Sequence, residues 1–192
     1  MPPRYAARAA DAPTLFPIAV PILPVSHADR GKAWEAQLDA QHRRYAADRW
    51  LVWRQHPPTV ITGEGGREAR IIGTARPDYR LSRDGVTVIV DAKSYAGPRW
   101  PLEQVSAHLA ADLDEAMRAG AVVGIVLELD SAAWWLPWVE LAPRWYAWAA
   151  ASARGETVRG SASLSALELQ QIGEPVTGTD WIGVALRGQI RA

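Results

Sequence analysis

The sequence contains no cysteine and no asparagine, and only two of its 21 basic residues, Lys32 and Lys93, are lysines. The missing cysteines exclude disulfide-stapled folds, thiolate metal sites and a cysteine nucleophile. No run of about 18 uninterrupted apolar residues occurs, which argues against a membrane-spanning helix. The 192 residues, 48% of them hydrophobic, are instead enough for the core of one domain plus an extended arm.

Charge is distributed unevenly along the chain, although its net charge is zero. Residues 1–100 carry 15 Lys and Arg against 10 Asp and Glu, whereas residues 101–192 carry 6 against 11. A basic half beside an acidic half indicates a polyanionic partner, such as a nucleic acid, for the first half. Chance segregation of surface charge is the alternative explanation.

Proline spacing divides the chain into an arm and a folded domain. Residues 1–28 contain six of the fourteen prolines, and from Pro13 to Pro24 they recur every three or four residues, a spacing that no helix survives. We therefore predict an extended, mobile arm at 1–28 and a single domain at 29–192. Whether the arm exchanges between subunits or orders on a partner is left open.

Hydrophobic periodicity predicts alternating helices and strands after the arm. Helices are expected near 31–50, 101–119 and 143–153, with strands at 59–62, 121–129 and 138–141. A glycine-rich, basic turn or protruding ribbon is expected at 63–73. Strands that interleave with helices indicate an α/β domain built on a central mixed β-sheet flanked by helices. The tryptophans of the acidic half are expected in the core or in a dimer interface; they are residues 134, 135, 138, 145 and 148.

Asp84-Gly85 lies between two strand-like runs and predicts a tight β-hairpin. If these two residues form the turn, paired positions sum to 169 and Asp78 faces Asp91. Directly opposed side chains have Cβ atoms about 5 Å apart, so two carboxylates placed there either share a proton or bind a cation. A bulge or a three-residue loop would shift this pairing by one position.

The second strand of the hairpin brings a cation to the same place. Alternation puts Asp91 and Lys93 on one face, about 7 Å apart along the strand. The hairpin thus gathers two carboxylates and one ammonium at a sheet edge. The structural alternative is a simple salt bridge in which Lys93 neutralises Asp78 and Asp91.

These residues resemble the PD-(D/E)xK nucleases, whose signature is matched by Pro77-Asp78 and by Asp91-Ala92-Lys93 after an apolar strand. The flanking sequence is similar to the RecU type of Holliday-junction resolvase over about residues 30–175. The matching features are Gly31 to Glu35, Tyr45, His56-Pro57-Pro58-Thr59, Trp100-Pro101-Leu102, His108 and Gly120. The resemblance implies a restriction-endonuclease-like fold in a DNA junction endonuclease, cellular or phage-encoded, that acts in the cytoplasm with the nucleoid.

The resemblance also implies roles for individual residues. Asp78 and Asp91 would bind Mg²⁺, with Mn²⁺ as a substitute, and the backbone carbonyl of Ala92 would lie nearby. Lys93 would orient or help to deprotonate the attacking water and stabilise charge on the phosphate. Glu35 would be a third acid, on the metal or on metal-bound water. Oxygen ligands of this kind suit Mg²⁺ better than zinc.

The chain departs from the RecU pattern at two positions. Asp91 stands where a glutamate is usual, and Leu109 stands where a glutamine follows the helix histidine. His42 or His108 could replace that polar contact, although each is also explained as an ordinary core or surface histidine. The ribbon at 63–73 is short beside the stalk of RecU proteins, which leaves open how the crossover is engaged.

Basic residues flank the predicted acidic site on both sides in the sequence. Arginine and lysine of this kind contact phosphates without reading the base sequence. The candidate DNA-binding residues are Arg30, Lys32, Arg43, Arg44, Arg67, Arg70, Arg76 and Arg99.

Three functions follow from this pattern. The first is a Mg²⁺-dependent endonuclease that cuts four-way junctions as a two-fold homodimer, because such a junction is itself two-fold symmetric. The second is a nuclease of the same fold acting on duplex or flap DNA. The third is a DNA-binding protein that keeps the fold without turnover.

Overall fold

The structure is a computed structural model, and it describes residues 27–55, 59–62, 68–71, 76–156 and 162–189. Most of the predicted arm, His56-Pro57-Pro58 and Arg67 lie outside these residues. The described helices and strands, in chain order, are α1 (His27–Ala47), β1 (Leu51–Arg54), β2 (Thr59–Thr62), β3 (Glu68–Ile71), β4 (Tyr79–Arg83), β5 (Val86–Tyr95), β6 (Arg99–Pro101), α2 (Ala107–Arg118), β7 (Val122–Leu129), β8 (Ala132–Pro137), α3 (Trp138–Ala153), β9 (Ser163–Ser165), α4 (Ala166–Ile172), β10 (Glu174–Val176) and α5 (Ile182–Gln189). Among these helices, none is long and apolar enough to cross a membrane.

A mixed sheet forms the centre of the described structure, with strand order β1-β4-β5-β7-β8-β10. The β5–β7 pair is parallel, and the other neighbouring strands are antiparallel. The parallel pair requires a crossover, which α2 provides. This mixed sheet flanked by helices confirms the predicted α/β fold. Strands β2 and β3 pair separately as an antiparallel ribbon, with β2 at the predicted strand 59–62 and β3 inside the segment 63–73.

Apolar side chains cover both faces of the sheet. One core joins the sheet to α2, α3 and α4, and the other joins it to α1 and α5. Four of the tryptophans predicted for the core or an interface are buried in these cores, and Trp148 packs against one of them. Trp135 stacks on Trp181 with ring centroids 5.7 Å apart. The site-bearing strand β5 is therefore held from both sides.

Three element boundaries differ from the sequence prediction. Helix α1 begins at His27, inside the predicted arm, and ends at Ala47. Helix α2 begins only at Ala107, because Ser106 caps it through the Leu109 amide and the preceding residues form β6 and a short 3₁₀ turn.

The third difference concerns the predicted strand at 138–141, which is wrong. The strand lies at 132–137, and α3 begins at Trp138 and includes Pro143. Burial explains this start, since Trp138 is fully buried and its indole donates a 2.6 Å hydrogen bond to Asp114. Tertiary contacts thus extend the helix one and a half turns before the proline.

His42 is enclosed by aromatic rings in the core between α1 and the sheet. Its ring lies 4.3 Å from Tyr79, 5.9 Å from Trp181 and 6.0 Å from Tyr45. Both ring nitrogens are buried without a hydrogen-bond partner. Burial lowers the pKa of His42 to about 4, against a small opposing effect of Asp39. The structure therefore keeps this histidine neutral at pH 7.

We expect His42 to make the fold sensitive to acid. The pKa of His42 is lower in the folded protein than in the unfolded chain. The stability associated with its neutral form is therefore fully present above pH 6.5 and is lost as the pH falls toward 4. The full loss is roughly 3 kcal/mol of unfolding free energy. Urea unfolding of wild type and His42→Phe at pH 7 and pH 4.5 measures the difference.

The phenylalanine variant should lose less stability on acidification than wild type, while having similar or higher stability at pH 7. Comparing the two proteins removes the opposing effect of Asp78 and Asp91, whose raised pKa values favour the folded state in acid. Equal acid sensitivity in both proteins would contradict the assignment of a neutral His42.

Candidate active site

The β4–β5 hairpin adopts the predicted register. Asp84 and Gly85 have φ values of 49° and 81° and form the two-residue turn, as a type I′ turn requires. Arg83 pairs with Val86 and Tyr79 with Val90, so paired positions sum to 169 as predicted. Asp78 lies immediately before β4, in line with Asp91 of β5. The turn therefore sets which acidic residues face each other.

The carboxylate of Asp78 is fixed by the backbone of β5. Its Oδ2 atom accepts a 2.8 Å hydrogen bond from the Ala92 amide. The carbonyl of Asp78 accepts a 2.7 Å hydrogen bond from the Gln55 amide, which continues the β1–β4 ladder. The side chain and the backbone carbonyl of Asp78 are thus both held by neighbouring strands, and the carboxylate is directed toward Asp91.

Asp91 and Lys93 form an ion pair on one face of β5. Lys93 Nζ lies 2.8 Å from Asp91 Oδ2, and the Asp91 side chain is only 6% exposed. Asp91 Oδ2 is shielded from solvent, and Lys93 is its charged partner. Lys93 therefore offsets part of the cost of holding an ionised carboxylate in a buried position.

Burial raises the pKa of both aspartates. Desolvation raises the pKa of Asp91 to about 6, with a further increase from Asp78 that Lys93 opposes. The pKa of Asp78 is also raised, mainly by burial and in part by Glu35, while the Ala92 amide and Lys93 lower it. Two neighbouring carboxylates held in a desolvated position are typical of functional sites.

Glu35 lies near this pair but is held by other residues. On α1 its carboxylate accepts a hydrogen bond from Arg54, whose guanidinium also donates at 2.9 Å to Asp39. Asp39 in turn accepts a 3.0 Å hydrogen bond from Tyr79. Arg54 thus ties α1 to the edge of the sheet beside Asp78. The role of Glu35 as a third acid stays a prediction.

The sequence analysis did not identify Arg54 and Asp39. The available signal was the four-residue spacing of Glu35 and Asp39, which places two acids on one face of α1. Arg54 gave no signal, because strand β1 was not predicted.

The donor set of the site fits a small hard cation. Asp78 and Asp91 offer carboxylate oxygens, and no softer ligand competes with them in the described site. Within the described ranges, no group of three or more histidine and acidic side chains is close enough to hold a metal. Mg²⁺ is commonly bound by one or two carboxylates together with waters and substrate phosphates, so two aspartates are sufficient.

No family model matches the sequence, and no curated protein sequence is similar to it. One solved structure with a similar shape is a Holliday junction resolvase. This is the 1.6 Å structure of Hjc from the archaeal hyperthermophile Archaeoglobus fulgidus. The TM-score is 0.44 and the identity 16%, over 76% of this chain and 95% of that chain. At this level of similarity neither family nor activity follows.

The basic candidates lie on several different elements. Lys32, Arg43 and Arg44 are exposed on α1, and Arg30 is half-buried there. Arg76 is exposed beside the site, where it lines a groove next to Pro77. The Arg70 side chain and Arg67 lie outside what the structure describes.

Arg99 is already engaged within the protein. Its guanidinium lies 2.9 Å from Glu168 and donates to the Ser163 hydroxyl and carbonyl. These contacts join β6 to β9 and α4.

The two histidines considered as substitutes for the family glutamine have different surroundings. His42 belongs to the core, as described above. His108 is half-exposed on α2, 3.5 Å from Asp112. Leu109 lies on α2, packs into the core and leaves the site without that polar contact.

Proposed function

We propose that this protein is a Mg²⁺-dependent endonuclease that cuts four-way DNA junctions by phosphodiester hydrolysis, as a RecU-type resolvase of the PD-(D/E)xK superfamily. The observation that carries the proposal is the convergence of Asp78, Asp91 and Lys93 at one point of the sheet. Asp78 accepts a hydrogen bond from the Ala92 amide, and Lys93 is paired with the buried carboxylate of Asp91.

The side chains have distinct roles in this proposal. Asp78 and Asp91 would hold Mg²⁺ with the Ala92 carbonyl, and Mg²⁺ supplies Lewis-acid stabilisation of charge on the phosphate. Lys93 orients the attacking water and stabilises the same charge. The Ala92 amide fixes the orientation of Asp78. Arg54 positions Glu35 at the border of the site, as the third acid of the set.

The proposed assembly is a homodimer. A four-way junction has two-fold symmetry, so a two-fold dimer presents one site to each of two opposed strands. Paired symmetric nicks are the product expected of this arrangement.

A cleavage assay distinguishes the proposal from its alternatives. The protein is incubated with a mobile four-way junction and with a linear duplex of matched sequence, each with Mg²⁺ or EDTA. Paired nicks on the junction alone, and only with Mg²⁺, support the resolvase. Equal cutting of the duplex supports a nuclease with another substrate. Tight binding without products supports a non-catalytic DNA-binding protein.

Junction binding should weaken steeply as salt is added. If four to six phosphates are contacted, log K falls with log salt at a slope of roughly −4 to −5, because each contact releases condensed counterions. Fluorescence anisotropy of a labelled junction in EDTA, over roughly 50–200 mM salt, measures the slope.

Two arginine variants provide a matched test of that slope. Arg76→Gln, at the groove beside the site, should make the slope shallower by about one. Arg154→Gln should leave it unchanged, because Arg154 is paired with Glu156 in the acidic half. A flat salt response in wild type contradicts binding through phosphate contacts.

A further inference from the structure

Strand β1 is an edge strand that exposes two large apolar side chains. Leu51 is 61% and Trp53 47% exposed. Their cross-strand partners on β4 are Ser82 and Arg80. Leu51 and Trp53 are two residues apart and therefore share a face, on which Trp53 is an exposed aromatic ring next to the polar side chains of β4.

Trp53 and Arg80 form one unit. They pair directly across the sheet, and the Arg80 guanidinium carbon lies 5.7 Å from the centre of the Trp53 ring. Arg80 is itself exposed. A cation held beside an exposed indole offers both a flat stacking surface and a positive charge.

This pair lies on the face of the sheet that carries the acidic site. Alternate residues of a strand share a face, so Arg80 of β4 points the same way as Asp78, two residues before it. Register places Trp53, Arg80 and Ile89 in one row across three strands. Asp78 and Asp91 belong to the parallel row two residues away, about 7 Å along the strands.

Arg80 and Arg76 line the same groove, whose volume is about 410 Å³. Pro77 lines it as well, and so do Asp112 and Glu115 of α2. Arg76 and Arg80 each lie two residues from Asp78 along the chain, so two positive charges flank that carboxylate, as contact with phosphates requires.

We propose that Trp53 and Arg80 form a stacking platform for an unpaired nucleobase next to the cleaved phosphate. This inference rests on the proposed function and specifies its substrate as DNA with unstacked bases at the branch. Stacking on an indole is tolerant of sequence because every base has a flat face. The platform accounts for an aromatic side chain that contributes little to the core.

Charge favours DNA over a second copy of this chain as the occupant. A two-fold contact centred on Trp53 would bring Arg80 toward its own copy, and like charges facing each other are unfavourable. A nucleotide instead supplies a planar ring for the indole and a negative phosphate for the arginines.

The test measures binding to a four-way junction with unpaired bases at the branch and to a fully paired linear duplex, both in EDTA. Trp53→Ala should weaken junction binding roughly 5- to 100-fold and duplex binding less than about twofold, because paired bases are not available for stacking. Trp53→Phe should retain most of the junction affinity. Leu51→Ala, on the same strand and more exposed, is the matched control and should bind as wild type does.

Salt dependence separates stacking from charge. Trp53→Ala should keep the wild-type salt slope, whereas Arg80→Gln should reduce its steepness by about one. Light scattering of each variant reports the oligomeric state, and circular dichroism reports the fold.

If Trp53→Ala and Leu51→Ala bind the junction equally well, the platform is overturned. The nuclease proposal is tested separately, by cleavage with the wild-type protein. An equal loss on junction and duplex also overturns the platform. So does a change of oligomeric state in Trp53→Ala, which would assign the patch to a protein contact. Wild type that binds neither DNA overturns the proposed function and the platform together.

Discussion

Asp91→Asn is expected to reduce junction cleavage by at least roughly 10³-fold while leaving junction binding in EDTA intact. The amide has the shape of the carboxylate but lacks its negative charge, so the cation loses one of two charged ligands. Binding depends on phosphate contacts and is retained, or becomes slightly tighter when one acidic charge is removed. Initial rates on a labelled junction with Mg²⁺ give the ratio.

The variant should remain folded. Burial already raises the pKa of Asp91 to about 6, so the fold tolerates a neutral group there. Lys93 loses its partner, but its side chain is 26% exposed and is accessible to water. Thermal unfolding therefore serves as the check that lost cleavage is a chemical effect.

Asp84→Asn is the matched control. It removes the same charge from the other end of the same hairpin, where the side chain is 89% exposed. Asparagine tolerates the positive φ of 49° at this turn position. Cleavage should be unchanged in this variant. Undiminished cleavage by Asp91→Asn would remove Asp91 from the mechanism.

Gly124→Ala is expected to cost about 3 kcal/mol of unfolding free energy. Gly124 lies in β7, and a Cβ atom there would come within 2.5 Å of the Leu136 carbonyl oxygen and of the Trp135 ring. Neither neighbour can move easily, because the first is sheet backbone and the second is stacked on Trp181. Urea unfolding at pH 7 measures the loss, which corresponds to a Tm lower by roughly 6–12 °C.

Gly183→Ala provides the control for this substitution. Gly183 is an exposed residue in the first turn of α5, and a Cβ atom there meets only the end of the Arg187 side chain at 3.8 Å. Its stability should be unchanged or slightly higher, since alanine favours helix. Equal unfolding free energies for the two variants would contradict the close packing around Gly124.

The close packing at Gly124 also bears on the candidate site. Gly124 pairs with Val90, and the next residue, Ile125, pairs with Asp91 across the parallel β5–β7 ladder. A shift of β7 is therefore transmitted to the strand that carries Asp91 and Lys93. The rigid core behind the site maintains the geometry of its charged groups.

Local rules predicted the hairpin and its acidic pair. Asp84-Gly85 determines a two-residue turn, the turn determines the register, and the register puts Asp78 in line with Asp91. Strand alternation then places Lys93 on the face of Asp91. Each step depends on covalent geometry within about fifteen residues, which is why the sequence was sufficient.

Non-local packing decided the features that the sequence analysis missed. The sequence of strand β1 shows no clear alternation of apolar and polar residues. Its place at the sheet edge depends on pairing with β4, some thirty residues away. That pairing brings Arg54 to Glu35 and Trp53 to Arg80. The start of α3 at Trp138 likewise depends on burial of that side chain and on its bond to Asp114.

The sequence by itself determined the α/β class, the hairpin register and the grouping of two aspartates with Lys93. Only the tertiary structure decided that Glu35 is held by Arg54, that the aspartates are buried, and that an indole lies one row away on the same face. The physical reason is the distance along the chain between the residues that interact. Turns and strand alternation follow from the backbone of neighbouring residues, whereas burial and charge partners depend on which distant strands and helices pack together.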